Sequence, residues 1–415
     1  MTLGLRPGWL PLRLVIAHRK SVSAIDDLKT YKRCRVQLHG QGIVLRDIVA
    51  GAEIKTKSQQ VCRAGDFLVA EIDAKVGGFG VVPPELDGAI VSGHYFLFDI
   101  DREELDATYL EWFIRSSYFQ DQVLAQGSTN YAAIRPEDVL EYRIALPPLV
   151  VQRKMAMRLS EIGARLGGIS ELSRQTRDEA RALLASERAS VFAEAVAYGT
   201  TRLDRWVTLE RGKFSHRPRN EPRFFGGKHP WIQIREIESS GKYIATWRDS
   251  LNDMGLAISK KFPKGTILVS IAATIGAVGI LEFDCCVPDS VVGITPGSET
   301  TAEYVYHYLS YVRSHLEQVA PQSAQKNINL EILSALPIPT LTSQQQRRVA
   351  DRLNKLEVAI HTVRQLQDRR QSEIEATLRS VLATTFRPDR AGSPEAETPS
   401  GWSFPAFGSR LETPS

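Results

Sequence analysis

The sequence is poor in cysteine and has no long uninterrupted apolar segment. Its four cysteines are Cys34, Cys62, Cys285 and Cys286. They show no Cys-x-x-Cys spacing, so we expect packing thiols and predict neither a zinc site nor a redox pair. No apolar run reaches the length of about 18 residues that spans a bilayer. Pro7 and Pro11 interrupt the apolar N-terminus, and no small-residue cleavage site follows. We therefore expect a cytoplasmic protein without a membrane partner.

Motifs of catalysis are also missing. The sequence has no (N/D)-P-P-(Y/F) run for amino methylation, no G-x-x-x-x-G-K-[ST] phosphate loop and no H-E-x-x-H metal motif. The stretches "GGFG" and "GAVG" lie in β-rich hairpins rather than between a strand and a helix, which indicates turns. A nuclease or methyltransferase acting alone would need a set of catalytic residues. We therefore predict a protein that is not an enzyme and has no catalytic, cofactor-binding or metal-binding residues.

Length and charge bound the remaining possibilities. The chain has 415 residues, 43% of them hydrophobic, which suggests two to four domains at about 100 to 200 residues each. Lys and Arg number 52 against 48 Asp and Glu, a net charge of +4. This mild excess permits a polyanionic partner but does not by itself indicate one.

The chain contains an internal repeat with an offset of 194 residues. Without a gap, 15 of the 59 residues from 134 to 192 are identical to the residues 194 positions later. Gln152 falls on Gln346, and Phe192 falls on Phe386. A gapless register of this quality predicts a duplicated module.

Each copy of the module ends in a segment with coiled-coil spacing. The apolar positions are Met155, Leu159, Ile162, Leu166 and Ile169 in the first copy and Val349, Leu353, Leu356, Ile360 and Val363 in the second. Steps of 4, 3, 4 and 3 predict two long helices, each about 60 Å, with the other copy as partner. Polar stretches at 174–177 and 368–371 should weaken the seam in its middle. In the alternative reading, each apolar stripe packs on its own globular domain.

The segments before the two helices are partly alike. "AGDFLVAEIDAKVGGFGVV" and "KGTILVSIAATIGAVGIL" both predict a hairpin in a mostly β domain, and "TYLEWFIRSS" and "EYVYHYLSYV" both predict a short aromatic helix. The rest diverges, since "YKRCRVQLHGQGIVLRDI" has no clear equal in the second half. A repeated scaffold with different displayed surfaces suits a protein whose halves recognise different things.

Basic and amide side chains cluster in the divergent segments and are candidates for contact with DNA. They are Arg33, Arg35, Gln37, His39 and Arg46 in the first domain and Lys213, Arg217, Arg219, Lys228, Gln233, Arg235 and Lys326 in the second. Lys and Arg suit phosphates, whereas Arg suits the guanine edge and Gln the adenine edge. The alternative for any single residue is a solvated loop face.

This arrangement resembles the specificity (S) subunits of type I restriction-modification systems. The resemblance covers about residues 1 to 387. "YRIALPPLVVQRKMAMRL" and "LPIPTLTSQQQRRVADRL" are similar to the family's proline-marked junctions, while "RWVTLERG" and "PWIQIREI" look like the opening of a target recognition domain. The first domain lacks a start centred on a tryptophan such as Trp206, so its assignment depends on its position and on "GDFLVAEIDAKVGGFG".

The resemblance implies an α+β fold, with two mixed β-rich target recognition domains separated by two long helices that form an antiparallel coiled coil. The predicted segments are 1–145 (first recognition domain), 146–197 (first helix), 198–338 (second domain), 339–387 (second helix) and 388–415 (a disordered tail). The implied function is binding of a bipartite double-stranded DNA target. The implied partners are two copies of the methyltransferase (M) subunit and the restriction/translocase (R) subunits. The alternative is a coiled-coil scaffold whose paired β domains bind proteins.

Overall fold

The computed structural model of the chain describes residues 9–124, 133–216, 220–319 and 328–387. The chain divides into two compact units. The first unit comprises residues 1–171 and 369–415, and the second comprises residues 172–368. The predicted tail 388–415 lies outside the described residues.

The first unit contains a β-rich part followed by a long helix. Its strands are β1 (Trp9–Pro11), β2 (Ile16–Arg19), β3 (Val22–Ala24), β4 (Thr30–Val36), β5 (Ile43–Ala50), β6 (Ser58–Val61), β7 (Phe67–Ala70), β8 (Phe79–Val81), β9 (Ile90–Val91), β10 (Tyr95–Ile100) and β11 (Arg143–Ala145). Its helices are α1 (Ala107–Phe113), α2 (Ser117–Leu124), α3 (Pro136–Glu141) and the first part of α4 (Leu149–Ala195). Short 3-10 helices lie at Leu12–Leu14, Gly51–Glu53, Ala74–Val76 and Pro84–Leu86.

Two larger sheets and a two-stranded ladder organise the first unit. The strand orders are β2-β10-β7-β8 and β3-β6-β9-β4-β5, and β1 pairs with β11. The predicted hairpin is present, because β7 and β8 pair antiparallel with Phe67 opposite Val81. Helices α1 and α2 cover the first sheet, and Phe67, Phe113 and Phe119 are buried in the shared core. Aromatic side chains bury large apolar areas, so this core stabilises the unit.

The second unit repeats this plan with different additions. Its strands are β12 (Thr200–Arg202), β13 (Val207–Arg211), β14 (Phe225–Trp231), β15 (Tyr243–Ile244), β16 (Asp249–Leu251), β17 (Lys260–Phe262), β18 (Ile267–Ser270), β19 (Val278–Leu281), β20 (Cys285–Val287), β21 (Val291–Pro296) and β22 (Pro337–Pro339). Its helices are the rest of α4, α5 (Ile234–Ser239), α6 (Asp253–Ala257), α7 (Ala302–Val319), α8 (Leu330–Ser334) and the first part of α9 (Ser343–Thr385). Short 3-10 helices lie at Val196–Tyr198, Leu203–Arg205 and Pro222–Phe224. The remainder of α9 belongs to the first unit.

Both larger sheets of the first unit have a counterpart in the second unit. The order β13-β21-β18-β19-β15 matches β2-β10-β7-β8 strand for strand and adds β15, and β12 pairs with β22 as β1 pairs with β11. The hairpin predicted in the second half is present as β18 and β19. The other sheet, read as β17-β20-β14-β16, matches β6-β9-β4-β5 in strand order and in the direction of each pairing, and the first unit adds β3. Below, the first type is called the repeated sheet. The second type is called the unit-specific sheet because different segments join its strands: residues 37–42 connect β4 to β5, whereas α5 and β15 lie between β14 and β16.

The repeat is also visible in the aromatic contacts of α1 and α7. The Tyr109 hydroxyl donates to the carbonyl of Ala145 at 2.8 Å, and the Tyr304 hydroxyl donates to the carbonyl of Pro339 at 3.0 Å. Phe386 lies 5.4 Å from the Tyr109 ring, and its equivalent Phe192 lies 5.6 Å from the Tyr304 ring. The duplicated module predicted from the sequence is therefore a duplicated structure.

The first domain has the opening segment that the sequence comparison did not identify. The 3-10 helix Leu12–Leu14 precedes β2 as Leu203–Arg205 precedes β13. The amide of Leu12 donates to the carbonyl of Tyr142 at 2.7 Å, and the amide of Leu203 donates to that of Leu336 at 2.9 Å. Val15 follows this turn in the first copy, at the position that Trp206 occupies in the second. The missing tryptophan therefore did not mean that the opening segment is missing.

The two long helices are present and run antiparallel within each unit. Helix α4 has 47 residues and α9 has 43. In the second unit, Arg188 pairs with Glu357 at 3.1 Å and Arg177 pairs with Asp368 at 3.2 Å. The residue numbers of α9 therefore rise along the pair as those of α4 fall. In the first unit, Leu159 shares a core with Leu382 and Phe386. The predicted antiparallel pair is confirmed.

The predicted seam is buried at its ends and polar in its middle. Leu159, Leu353 and Ile360 are buried, but Ile169 is 41% exposed, so its assignment to the seam was wrong. The Ser170 hydroxyl instead donates to the Gln371 side chain at 3.1 Å, because polar residues make the interhelical contact there. The alternative reading also holds in part, since Leu159 and Leu353 belong to the cores of their own units.

Two further predictions concern the cysteines and the domain limits. All four cysteines are buried and outside disulfides, with the Cys34 and Cys62 sulfur atoms 3.8 Å apart. Within the described ranges, each helix is too short or too polar to cross a bilayer. The predicted limits of the recognition domains stay a prediction, because the division between the units falls inside the long helices.

Candidate nucleic-acid interface

The candidate residues of the first unit lie on one hairpin of the unit-specific sheet. Strands β4 and β5 pair from Thr30 opposite Ala50 to Val36 opposite Ile43, with a bulge after Arg33. Arg33 and Arg35 lie on β4, Arg46 lies on β5, and Gln37 and His39 lie in the turn. The structure therefore brings these five residues together on one element.

Arg33 is bound to a neighbouring strand. Its Nε and Nη2 atoms donate to the two carboxylate oxygens of Asp47 at 2.6 and 2.7 Å. This hydrogen-bonded guanidinium lowers the pKa of Asp47. A bidentate pair of this kind holds its geometry better than a single contact. Arg33 therefore fixes β4 to β5 in register.

Arg35 and Arg46 are exposed and lie near a common tyrosine. Arg46 is 3.5 Å from Asp47 with 58% of its side chain exposed, and Arg35 makes no salt bridge with any described residue. Burial raises the pKa of Tyr95, and the charges of Arg46 and Arg35 oppose that change. Both guanidinium groups are thus close enough to Tyr95 for their charges to act on it. The sequence analysis missed Tyr95, which lies on the repeated sheet.

Backbone contacts order the turn that carries Gln37 and His39. The amide of Gln37 donates to the carbonyl of Gly42 at 2.8 Å. The amide of His39 donates to the carbonyl of Val76 at 2.7 Å, and His39 has a φ of 61° in the left-handed region. Non-glycine residues adopt this region rarely, so the surrounding contacts must impose it. The His39 residue is exposed.

Lys75 is a second residue that the sequence analysis missed. It lies in the 3-10 helix Ala74–Val76, whose last residue accepts the His39 amide hydrogen bond. The hairpin "AGDFLVAEIDAKVGGFGVV" was identified as scaffold, and its lysine was not considered as a contact residue. Its proximity to the turn depends on the pairing of chain segments about 35 residues apart, which the sequence pattern does not encode.

The candidates of the second unit also border the unit-specific sheet. Lys228 lies on β14, and Gln233 caps the start of α5 directly after that strand. The amide of Lys213 donates to the carbonyl of Val287 at the end of β20 at 3.1 Å. Lys213 is exposed, and Lys228 is 76% exposed and 3.9 Å from Asp253. Arg217, Arg219 and Lys326 lie outside the described residues.

Arg235 is held by two carboxylates. Its Nε donates to Glu236 at 2.6 Å, and its Nη2 donates to Asp249. The hydrogen bond to Glu236, followed by the charges of both carboxylates, raises the pKa of Arg235. Gln233 Nε2 lies 3.4 Å from the same Asp249 oxygen. Arg235 is therefore oriented before any ligand arrives, and 48% of its side chain remains exposed.

In the described part of the chain, no cluster of three or more His, Cys, Asp or Glu side chains could hold a metal ion. Burial raises the pKa of the Cys285 and Cys286 thiols, which keeps them protonated. What the surface offers is an arrangement of exposed cations and partly buried amides on or beside both unit-specific sheets. Such groups contact phosphates and base edges.

Comparisons with known proteins point to one family. Residues 215–369 match the family model of the type I restriction modification DNA specificity domain. The protein named type I restriction enzyme MjaX specificity subunit, from Methanocaldococcus jannaschii, is 20% identical over 338 residues, covering 77% of this chain and 76% of its own length. The type I restriction enzyme MjaIX specificity subunit of the same organism is 26% identical over 133 residues, 31% of each protein.

The fold has a counterpart among solved structures. A chain from a study of complex assembly and conformational transition of the type I R-M system superposes with a TM-score of 0.73 at 21% identity. The match covers 93% of this chain and 99% of that chain. Likeness at this identity concerns the fold, and it agrees with the duplicated units and paired helices described above. Residues 215–369 therefore match the DNA specificity domain of type I restriction-modification systems, and the chain is similar over most of its length to a type I restriction enzyme specificity subunit.

Proposed function

We propose that the chain recognises a bipartite double-stranded DNA target for a type I restriction-modification complex, with one half-site bound by each unit. The observation that carries this proposal is the location of the candidate residues. In both units the described candidates lie on or beside the unit-specific sheet, not on the repeated sheet. A common scaffold with two different exposed surfaces suits a protein that binds one duplex at two unlike sequences.

The exposed cations suit contacts to the phosphate backbone. Arg35, Arg46, Lys213 and Lys228 are all exposed. Neutralising phosphates releases counterions, so such residues provide affinity without sequence preference. Arg217, Arg219 and Lys326, which lie outside the described residues, stay candidates for phosphate contacts on the basis of residue type.

Base recognition is assigned to the amides and to Arg235. Gln37 lies in the β4–β5 turn, and Gln233 and Arg235 lie at the start of α5. The salt bridges to Glu236 and Asp249 orient the Arg235 guanidinium, and its exposed part is available to a guanine edge. In the first unit, the proposal gives Arg33 a supporting role, since its guanidinium already binds Asp47.

The long helices are proposed to set the separation of the half-sites. Helix α4 has 47 residues, about 70 Å at 1.5 Å per residue. A duplex of the same length contains about 20 base pairs at about 3.4 Å each. A helix has a fixed rise per residue, so two helices of this kind would keep a constant number of base pairs between the half-sites.

Catalysis is proposed to come from partners. The relatives are named specificity subunits, and the solved likeness comes from a study of type I R-M complex assembly. We assign to this chain the docking of two methyltransferase subunits and of restriction/translocase subunits, and no chemistry of its own. The exposed positions of α4 and α9 include large apolar side chains that suit such docking, among them Met157, Leu172, Val358 and Leu366.

Methylome sequencing tests the proposal directly. A host expressing the chain with its partner methyltransferase should acquire methylation at one split motif, and a host with the methyltransferase alone should not. Purified chain with S-adenosylmethionine should methylate no DNA, and methylation there would contradict the assignment of catalysis to partners. Should the chain with its methyltransferase fail to shift any duplex in a gel, the alternative of a protein-binding coiled-coil scaffold would replace DNA recognition.

A further inference from the structure

Helix α1 docks on the long helices of the first unit through an apolar contact that requires a glycine. Trp112 is 7% exposed, and its indole nitrogen donates to the Ser160 hydroxyl at 3.0 Å. A Cβ atom added to Gly163 would lie 2.5 Å from the Trp112 ring, which no real side chain tolerates. Leu382, 2% exposed, belongs to the same core. We call Trp112, Ser160, Gly163 and Leu382 the first docking set.

Helix α7 docks in the second unit through a buried polar network. His307 is fully buried, and its Nε2 lies 2.8 Å from the Oδ1 atom of Asn354. Its Nδ1 accepts from the Nε of Arg188 at 3.4 Å. Arg188 also donates to Glu357 at 3.1 Å. We call His307, Asn354, Glu357 and Arg188 the second docking set.

The two sets occupy equivalent positions of the repeat. At an offset of 194 residues, Ser160 matches Asn354 and Gly163 matches Glu357. Position 188 of α4 matches position 382 of α9 at the same offset. The bonds of Tyr109 and Tyr304 align α1 with α7 at an offset of 195, which brings Trp112 onto His307. Every member of one set therefore has one counterpart in the other.

The chemistry of the two sets is mutually exclusive. A glutamate at position 163 would enter the space that the indole of Trp112 occupies. An imidazole in place of that indole would be buried next to Leu382. The counterparts of Asn354 and Arg188 there are Ser160 and Leu382, which do not offer the same hydrogen-bonding groups. Buried polar groups without partners destabilise a fold, and buried unpaired charges do so more strongly.

We infer that the two docking sets determine which recognition domain each end of the helix pair accepts, so that the two domains of this chain are not interchangeable. The positions on α4 and α9 act as specificity-determining residues for domain docking. This inference concerns assembly within the chain and does not rest on DNA binding. A domain moved from the second position to the first should dock only when the helices receive the second set.

A two-by-two experiment tests the inference. A chimera replaces residues 9–145 by residues 200–339, and each of the two chains, native and chimeric, is made with and without S160N, G163E and L382R. The three substitutions should raise the melting temperature of the chimera by at least about 5 °C and slow hydrogen exchange of the transplanted α7 by at least tenfold. The same substitutions should lower the melting temperature of the native chain. The inference would be overturned if the three substitutions shifted the melting temperatures of both chains in the same direction, or if they left the melting temperature of the chimera unchanged.

A double-mutant cycle gives an answer even if the chimera does not fold. Gly163→Ala should lower the melting temperature of the otherwise native chain by several degrees. Trp112→His removes the six-membered ring that the new Cβ would meet, so Gly163→Ala should cost no more than half as much in that background. Gly167→Ala, on the same helix with open space around its Cβ position, is the matched control and should not lower the melting temperature. Equal losses from Gly163→Ala in both backgrounds would contradict the inference.

Discussion

Gln152 and Gln346, 194 residues apart in the chain, make the same hydrogen bond in their own units. The Nε2 of Gln152 donates to the carbonyl oxygen of Pro147 at 2.8 Å, and the Nε2 of Gln346 donates to that of Leu341 at 2.9 Å. Both side chains are fully buried at the start of a long helix. Each glutamine thus joins its helix to the proline-marked junction before it, which explains why the repeat retains this residue.

Removing either glutamine should destabilise its unit. Gln152→Ala leaves the carbonyl groups of Pro147 and Glu104, both bonded at 2.8 Å, without their donor. We expect a loss of about 1 to 3 kcal/mol in the free energy of unfolding, measured by urea denaturation. Gln344→Ala, at an exposed position of α9, is the control and should change it by less than about 0.5 kcal/mol. Equal effects of the two variants would contradict the role of Gln152.

Stability should depend on pH through His307. Burial lowers the pKa of His307 to about 3. The imidazole of the unfolded chain titrates near 6.5, so between about pH 6.5 and 3 the unfolded state binds a proton that the folded state does not. The free energy of unfolding should therefore fall as the pH falls through this window, by up to about 1.4 kcal/mol per pH unit.

The contribution of His307 can be separated from that of the carboxylates. Urea unfolding at pH 7, 6 and 5 should show a smaller decrease in His307→Gln than in the native chain, because the variant has no imidazole to protonate. His361→Gln, which replaces an exposed imidazole on α9, is the control. If His307→Gln and the native chain lose the same stability between pH 7 and 5, His307 is not neutral in the fold.

Substitutions on the β4–β5 hairpin should weaken DNA binding in a salt-dependent manner. Arg35→Ala and Arg46→Ala each remove one proposed phosphate contact, so each should reduce the slope of log affinity against log salt by about 1. The measurement uses the chain with its methyltransferase and the duplex found by methylome sequencing. Arg13→Ala is the control, since Arg13 lies outside the hairpin and pairs with Glu141 at 2.6 Å. Unchanged slopes for both hairpin variants would remove the hairpin from the interface.

The duplicated scaffold was predictable because it is recorded in local patterns. The spacing of Leu159 and Leu353 follows from the helical period, and the offset from Gln152 to Gln346 appears in a gapless comparison. The need of each apolar stripe for a partner of equal length predicted the helix pair, and the resemblance to specificity subunits implied its antiparallel direction. The opening of the first domain was missed because Val15 replaces the aromatic residue that marks the second.

The candidate interface was predictable in residue type but not in geometry. The bidentate contact of Arg33 with Asp47 depends on the register of β4 and β5 and on a bulge, which no local pattern specifies. Arg235 was predicted as a candidate for contact with a base because of its residue type, yet Asp249, 14 residues later, holds its guanidinium. The docking of Trp112 against Gly163 likewise depends on tertiary packing, which no local pattern specifies.

The spacing of the methylated half-sites tests most directly the claim that the long helices measure the target. An insertion of four residues after Arg174, in the polar middle of α4, adds about one helical turn, ~6 Å. A control variant replaces four exposed residues of the same region by alanine without changing the length. Methylome sequencing should find the same two half-sites separated by about one to two more base pairs with the insertion, and the original separation with the control. Methylation at the original separation by the insertion variant would contradict the account.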